Sequence, residues 1–406
     1  MPGDLLTVDD LDVDGRRVLL RADLDVPLSQ TGDEGPVRVL DDSRIRAALP
    51  SIEELSRLGA RLVLISDLGR PRDRDTALSM RPVAEHLGKL TGAAVRLAPA
   101  VGGRDVRGLT EALAPGEMLM LENARFEPGE TRNDLALSLE LAELGDLYVD
   151  DAFAGAHRAH ASNEGIAHRL RAAAGRLMER EVRALRTITD DPERPLVAVL
   201  GGANVAQEIT LVRRMLQLAD VLCIGGQMCL PFLVASGHNP SDPQCSHEDV
   251  ELARLVLTEA AAFGCALELP RDLMLAPRPE QTRGIRGASL DPPDGYEGLD
   301  IGRATVDRFS AEMAAAAMVL WDGPMGCLEE PFAAGTRAIA RAVASTRART
   351  LVAGEETVQV LKSLRLEGHV THISTGNGAT RALLEGRELP GVKVLLRDPT
   401  NSRRHA

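Results

Sequence analysis

Leu147-Tyr-Val-Asp-Asp-Ala-Phe-Ala-Gly-Ala-His-Arg-Ala-His-Ala-Ser162 sets an apolar run against a turn of small residues. A short continuous apolar run reads as a strand buried on both faces. The small residues that follow let the backbone turn tightly, and they leave His157, Arg158 and His160 at the strand's exit. In folds built from parallel strands, loops that follow strands carry the ligand-binding groups.

The same pattern recurs outward from this stretch. Arg17–Arg21, Arg61–Ser66 and Met118–Leu121 read as strands, with a helical pattern over Ser43–Gly59. Later come Leu196–Leu200, Val221–Ile224, Ala266–Leu269, Met318–Trp321, Thr350–Ala353 and His369–Ile373, most of them followed by helical spacing. This alternation predicts an α/β protein with doubly wound, Rossmann-like parallel sheets. The 406 residues are too many for one core, so two domains are expected. Ala173–Ile188 reads as a helix, and the polar, proline-bearing Thr189–Pro195 breaks it. The expected division is 1–174, a connecting helix at 175–190, a second domain at 191–385 and a returning segment at 386–406.

A net charge of -13 argues against generic nucleic-acid or membrane-surface binding. No run reaches the roughly 18 apolar residues of a membrane span, and no signal-peptide core precedes the first strand. A cytoplasmic protein is the expectation. The five cysteines form no C-x-x-C pair and read as incidental thiols. Lysine occurs only at Lys89, Lys362 and Lys393, so any anion site must be built from arginine.

Arg21, Arg44, Arg70, Arg125 and Arg158 sit at element ends or loops. Guanidinium groups grip carboxylate and phosphate bidentately, and a converging set suits a small phosphorylated acid. In the second half, Gly201-Gly-Ala-Asn-Val-Ala-Gln-Glu-Ile209 follows an apolar strand and opens a helix. Such a glycine turn is a generic anion cradle.

The quoted turn closely resembles the signature of the phosphoglycerate kinase family, and motifs in the same order continue from about residue 5 to about residue 395. Arg21-Ala-Asp-Leu-Asp-Val-Pro27 resembles R-x-D-F-N-x-P, and Gly201–Ile209 resembles G-G-A-K-V-x-D-K-I. Gly225-Gly-Gln-Met228 is similar to G-G-G-M, and Trp321-Asp-Gly-Pro-Met-Gly326 to W-N-G-P-M-G. Ala353-Gly-Glu-Glu-Thr357 and Ser374-Thr-Gly-Asn-Gly-Ala379 resemble G-G-G-D-T and S-T-G-G-G-A. The resemblance implies two domains that close like a hinge, an acid substrate on the first, and ATP or ADP with Mg2+ on the second.

Residue by residue, the resemblance implies that Arg21, Asp23, Asp25, Asp67, Arg70, Arg125 and Arg158 face the acid. It implies that Arg44, Gly354 and Gly378 serve the transfer step. Gly201, Asn204, Glu208, Gly225, Gly226, Asp322, Glu329, Glu356 and Thr357 fall at nucleotide positions, with Glu356 holding the metal through the nucleotide. The implied partners are a small phosphorylated acid and a nucleotide, with no nucleic acid or membrane, and the implied state is a monomer.

Several positions depart from the family. Asn204 and Glu208 stand where it has lysines, Asp25 and Asp150 where it has Asn, and Asp67 where it has His. Gln227, Glu355 and Asn377 replace glycines. Loss of a cation on a moving phosphoryl group costs several orders of magnitude in rate. Three readings follow: a kinase of the family type with reduced turnover, a kinase for a different carboxylate, or a protein that binds acid without transfer. In the second, Asp25, Asp67 and Glu208 recruit a second metal or an amine-bearing substrate, and Arg381 supplies a replacement cation.

Overall fold

Leu196-Val-Ala-Val-Leu200 is apolar and buried at every position, as a strand covered on both faces must be. Arg61-Leu-Val-Leu-Ile65 is buried at all but its first residue. Runs of this kind build the protein, seen in a computed structural model that describes residues 4–29, 37–72, 74–240, 245–276, 286–292, 296–329 and 332–397.

The chain forms two compact units, Met1–Arg183 with Glu388–Ala406, and Ala184–Arg387. The division falls inside the helix Arg176–Thr189. The reading of Ala173 and Ala174 as the start of that helix is corrected by the structure. Both alanines belong to a strand, where backbone pairing to a neighbour overrides alanine's helix propensity.

Unit 1 carries β1 (Arg17–Arg21), β2 (Arg61–Ile65), β3 (Val95–Leu97), β4 (Met118–Met120), β5 (Leu147–Asp150) and β6 (Arg171–Ala174). They lie in the order β3-β4-β2-β1-β5-β6, and every pairing is parallel. The register aligns Arg21 with Ile65 on one side and with Asp150 on the other. The strands therefore end together, and their exit loops meet along one edge. Val18, Leu20, Leu62 and Leu64 pack with Ile45, Ile52 and Leu55 of the helix Ser43–Arg57 in a dry core. Full burial of each such side chain contributes about 1.5–3 kcal/mol. The end of the chain returns to this unit, where Leu5 and Leu396 form an antiparallel bridge and Leu6 N donates to Leu395 O at 2.9 Å. The polar tail expected after Asp398 lies outside the described residues.

Unit 2 carries β7 (Leu196–Leu200), β8 (Val221–Ile224), β9 (Ala266–Glu268), β10 (Leu273–Ala276), β11 (Arg286–Ser289), β12 (Glu297–Ile301), β13 (Met318–Asp322), β14 (Arg349–Ala353) and β15 (His372–Ile373). Its main sheet is parallel in the order β15-β14-β13-β7-β8-β9. Trp321, Phe309 and Met313 fill the core on one face. A separate antiparallel sheet, β11-β10-β12, was not anticipated; its register shifts on both sides of β10. No helix among the described residues is long and apolar enough to cross a membrane.

Candidate active site

At the strand exits of unit 1, Arg21 ends β1 and is buried to 4% exposure. Its guanidinium is fixed on three sides. Nε donates to Ser162 Oγ at 3.0 Å, Nη1 donates to Ala22 O at 2.8 Å, and Nη2 donates to Asp67 Oδ1. The other Asp67 oxygen, Oδ2, pairs with Arg125 Nη2 at 2.7 Å. Arg125 Nη1 donates to Gly69 O at 2.5 Å, while its buried Nε has no partner among the described residues. Asp23 binds Arg44 Nη1 through both oxygens, at 2.9 and 2.6 Å. Asp25 Oδ1 accepts from Gly69 N at 2.9 Å.

Buried Asn123 sets the loops that carry these groups. Its Oδ1 accepts from Leu68 N and Arg125 N, each at 3.1 Å, and its Nδ2 donates to Leu68 O and Leu78 O. Glu130 is wholly buried and accepts from both Ser162 N at 3.0 Å and Ser162 Oγ at 2.6 Å. Neither Asn123 nor Glu130 was singled out from the sequence, because the Leu68 and Leu78 partners of Asn123 and the Ser162 partner of Glu130 lie 32 or more positions away.

The electrostatics follow from burial and pairing. Burial works to raise the Asp67 carboxyl, but Arg21 and Arg125, with His160 behind them, outweigh it and hold it below the ordinary value. Burial raises the Asp23 carboxyl, against the pull of Arg44. Asp150, at 0% exposure, is pushed up to about 7 by burial. Its Oδ1 accepts from Ala152 N at 3.0 Å, and its Oδ2 has no hydrogen-bond partner among the described residues. Arg70 and Arg158 are exposed and make no ion pair among the described residues; Arg158 Nε donates to His157 Nε2 at 3.1 Å.

In unit 2 the turns after β7, β8 and β13 interlock. Gly201 N donates to Asp322 O at 2.8 Å, Gly226 N to Met325 O at 3.0 Å, and Met228 N to Gly202 O at 3.0 Å. A Cβ on Gly201 would lie 1.9 Å from Pro324 O, so only glycine fits this crossing. Thr357 is buried and its Oγ1 accepts from Gly323 N at 2.9 Å, which ties the next turn to the same cluster. Gly354 adopts φ +84° beside the Asp322 carboxyl. Gly378 is the first residue of the helix Gly378–Leu384.

Asn204 caps the helix Val205–Leu218, with Oδ1 accepting from Ala206 N at 2.7 Å and Gln207 N at 3.4 Å. An asparagine oxygen meets the free amides of a helix start, which a lysine cannot do. Glu208, one turn on, pairs with Arg381 Nη1 at 2.8 Å. Arg381 also donates Nε to Glu385 at 2.9 Å and Nη2 to Gln207 O. Burial first, then the Glu208 carboxylate, push the Asp322 carboxyl up to about 6, against the opposing pull of Arg381. Glu208, Asp322 and Arg381 thus form one charge cluster at the strand exits.

Glu355 and Glu356 are exposed in the first turn of the helix Glu355–Ser363, where the helix dipole favours acids. Gln227 and Glu329 are exposed, and Asn377 holds a φ of +42° that L residues rarely adopt. Among the described residues, no three His, Cys, Asp or Glu side chains are grouped as a metal site.

Two doubly wound parallel sheets, one with arginine-lined exits and one with interlocked glycine turns, define a two-unit α/β protein whose strand exits are the places where such folds bind ligands. The family model described as phosphoglycerate kinase matches residues 8–387. A phosphoglycerate kinase from Thermomicrobium roseum is 46% identical, with 97% of this chain and 99% of that protein covered. One from Desulforudis audaxviator is 44% identical, covering 96% and 98%. The solved phosphoglycerate kinase of Coxiella burnetii superposes with a TM-score of 0.87 at 34% identity, covering 97% and 99%. The chain belongs to the phosphoglycerate kinase family.

Proposed function

We propose that this chain is a phosphotransferase of the phosphoglycerate kinase type that moves a phosphoryl group between ATP or ADP and the carboxyl of 3-phosphoglycerate, at reduced turnover. The observation that carries the reading is the meeting of Arg21, Arg125, Arg44 and Asp23 at one strand edge of unit 1. In this reading Arg70 and Arg158 are the exposed cations that receive the acid, Asp23 orients its hydroxyl, and Arg44 serves the reacting carboxyl. Unit 2 receives the nucleotide on the glycine turns at Gly201, Gly225 and Gly226, beside a helix start whose amides at Ala206 and Gln207 are already taken by the Asn204 cap. The oxygen donors of Glu355 and Glu356 are of the hard type that suits Mg2+, which takes its other ligands from phosphate and water. Mg2+ bound with the nucleotide would neutralise phosphate charge.

The reduction in turnover rests on Asn204 and Glu208. One is committed to a helix cap, and the other brings a carboxylate whose partner, Arg381, is engaged by Glu208, Glu385 and Gln207 O. A coupled assay with 3-phosphoglycerate, ATP and Mg2+ tests this. We expect wild-type turnover about 10³-fold or more below that of the Asn204→Lys/Glu208→Lys variant. Equal rates in the two proteins would sink the assignment of the deficit to these positions.

A further inference from the structure

We infer that Glu130 is a positioning residue of the acid site, fixing Arg21 through the hydroxyl of Ser162. The inference rests on reading unit 1 as the acid-binding half, and it adds a residue that acts on the acid only through others.

Glu130 opens the short turn Glu130–Arg132 and is 0% exposed. A carboxylate withdrawn from water is costly unless its oxygens find donors. Both find them on one residue: Oε2 accepts from Ser162 N at 3.0 Å and Oε1 from Ser162 Oγ at 2.6 Å. Ser162 is equally buried, and its carbonyl oxygen accepts from Tyr148 OH at 2.9 Å. Its Oγ accepts in turn from Arg21 Nε at 3.0 Å. The chain then runs outward, with Arg21 Nη2 donating to Asp67 Oδ1 and Asp67 Oδ2 pairing with Arg125 Nη2 at 2.7 Å. Burial works against the charge of Arg21, and Asp67 first, then Glu130, more than offset it.

The direction of these bonds is forced. Arg21 Nε can only donate, and a serine hydroxyl has a single hydrogen. Glu130 takes that hydrogen, which leaves an oxygen lone pair for Arg21. Glu130→Gln cannot serve both donors of Ser162. If the new amide turns its NH2 group to Ser162 N, two donors meet. If it turns that group to Ser162 Oγ, the hydroxyl must rotate. It then points at Arg21 Nε, donor against donor, or aside, where Oγ has no third partner among the described residues. A buried donor left unmatched is the costly failure of such a network. Movement of Arg21 relieves it. Each Nη of Arg21 keeps a second hydrogen, so that movement displaces donors an acid would meet and draws Asp67 and Arg125 after it.

Calorimetric titration of the full chain with 3-phosphoglycerate, without nucleotide, compares the wild type with Glu130→Gln, Ser162→Ala and the double variant. We expect each single substitution to raise Kd about tenfold, with about one site per chain retained. We expect the double variant to lie within about threefold of the weaker single one, because both substitutions break the same chain. A merely structural role would lower the fraction of chains that bind and leave the Kd of the rest unchanged, and that result overturns the inference. So does a Kd within about threefold of the wild type in either single variant, or losses that multiply in the double. Each of these leaves the proposed function standing. A wild type that does not bind 3-phosphoglycerate sinks the acid-site reading, and the inference with it. If Glu130→Gln does not fold, Ser162→Ala decides by the same measures of Kd and binding fraction.

Discussion

Asp150→Asn should stabilise unit 1 by an amount that grows with pH. Asp150 ends β5, is wholly buried, and has one oxygen on Ala152 N and the other without a partner. Burial lifts its pKa from 3.8 to about 7, with Asp151 adding to the lift and Arg21 opposing it. Below about pH 4 both the folded and unfolded chains hold the group neutral, and it costs the fold nothing. Between about pH 4 and pH 7 the unfolded chain ionises while the folded one keeps its proton. Stability then falls by about 1.4 kcal/mol per pH unit. Above about pH 7 both states are ionised, and the loss levels off near 4 kcal/mol. Between about pH 5.5 and pH 8.5 this residue's share is about 2 kcal/mol. Urea unfolding followed by circular dichroism, run on both proteins at those two pH values, reads the difference directly. Asp300, pushed up to about 7, adds the same sign of slope to both proteins and cancels in the comparison, whereas Asp151, pushed up to about 6, loses a like-charged neighbour in the variant and widens the gap in the same direction. A gap between variant and wild type that stays constant or narrows on going to the higher pH would refute the argument.

Two further substitutions probe unit 2. Asn204→Ala removes the acceptor for Ala206 N and Gln207 N, and should lower unit 2 stability by about 1 kcal/mol in urea titrations read by the fluorescence of Trp321, the chain's one tryptophan. Gly201→Ala places a Cβ 1.9 Å from the Pro324 carbonyl oxygen, so the turns after β7 and β13 must separate. It should cost more than about 2 kcal/mol, and a melting temperature equal to that of the wild type would show that the crossing is not tight.

The strands of both main sheets were readable because their apolar runs are uninterrupted and because parallel strands need no polar face. Leu196–Leu200 and Val221–Ile224 were read to the residue. Shorter elements were not. Val95–Leu97 is only partly buried, and Arg171–Ala174 contains three alanines, whose local preference is helical. The expected strand His369–Ile373 shrinks to His372–Ile373, because Glu367–His369 turns as a 3-10 helix. The antiparallel strands of unit 2 lie among prolines and glycines and carry little periodic signal.

The candidate site was legible as a set of residues but not as a set of bonds. Arg21, Asp67 and Arg125 could each be singled out as polar groups at strand exits. That one carboxylate bridges the other two depends on β1, β2 and β4 ending together, a property of register rather than of local sequence. Asn204 at a position expected to hold lysine reads as a loss, yet the fold uses it as a helix cap. Glu208 and Arg381 lie 173 positions apart, so no spacing argument could pair them.

The return of the chain to unit 1 also governs how the protein is made. Leu6 and Ala174 share a backbone bond, and Leu5 and Leu6 meet Leu395 and Leu396. Leu5 and Leu6 therefore await partners that lie beyond the whole of unit 2 in the chain. Unit 2 is contained in one continuous stretch, Ala184–Arg387, and has all its own residues in hand earlier. Unit 1 is thus completed only by residues that follow unit 2. A nascent chain stalled before Glu388 would hold a unit 1 in which Leu5 and Leu6 lack their bonds to Leu395 and Leu396. The closeness of Leu5 to Leu396 suits the chain to circular permutation, with a linker joining the segments beyond them and a new start opened in an exposed loop.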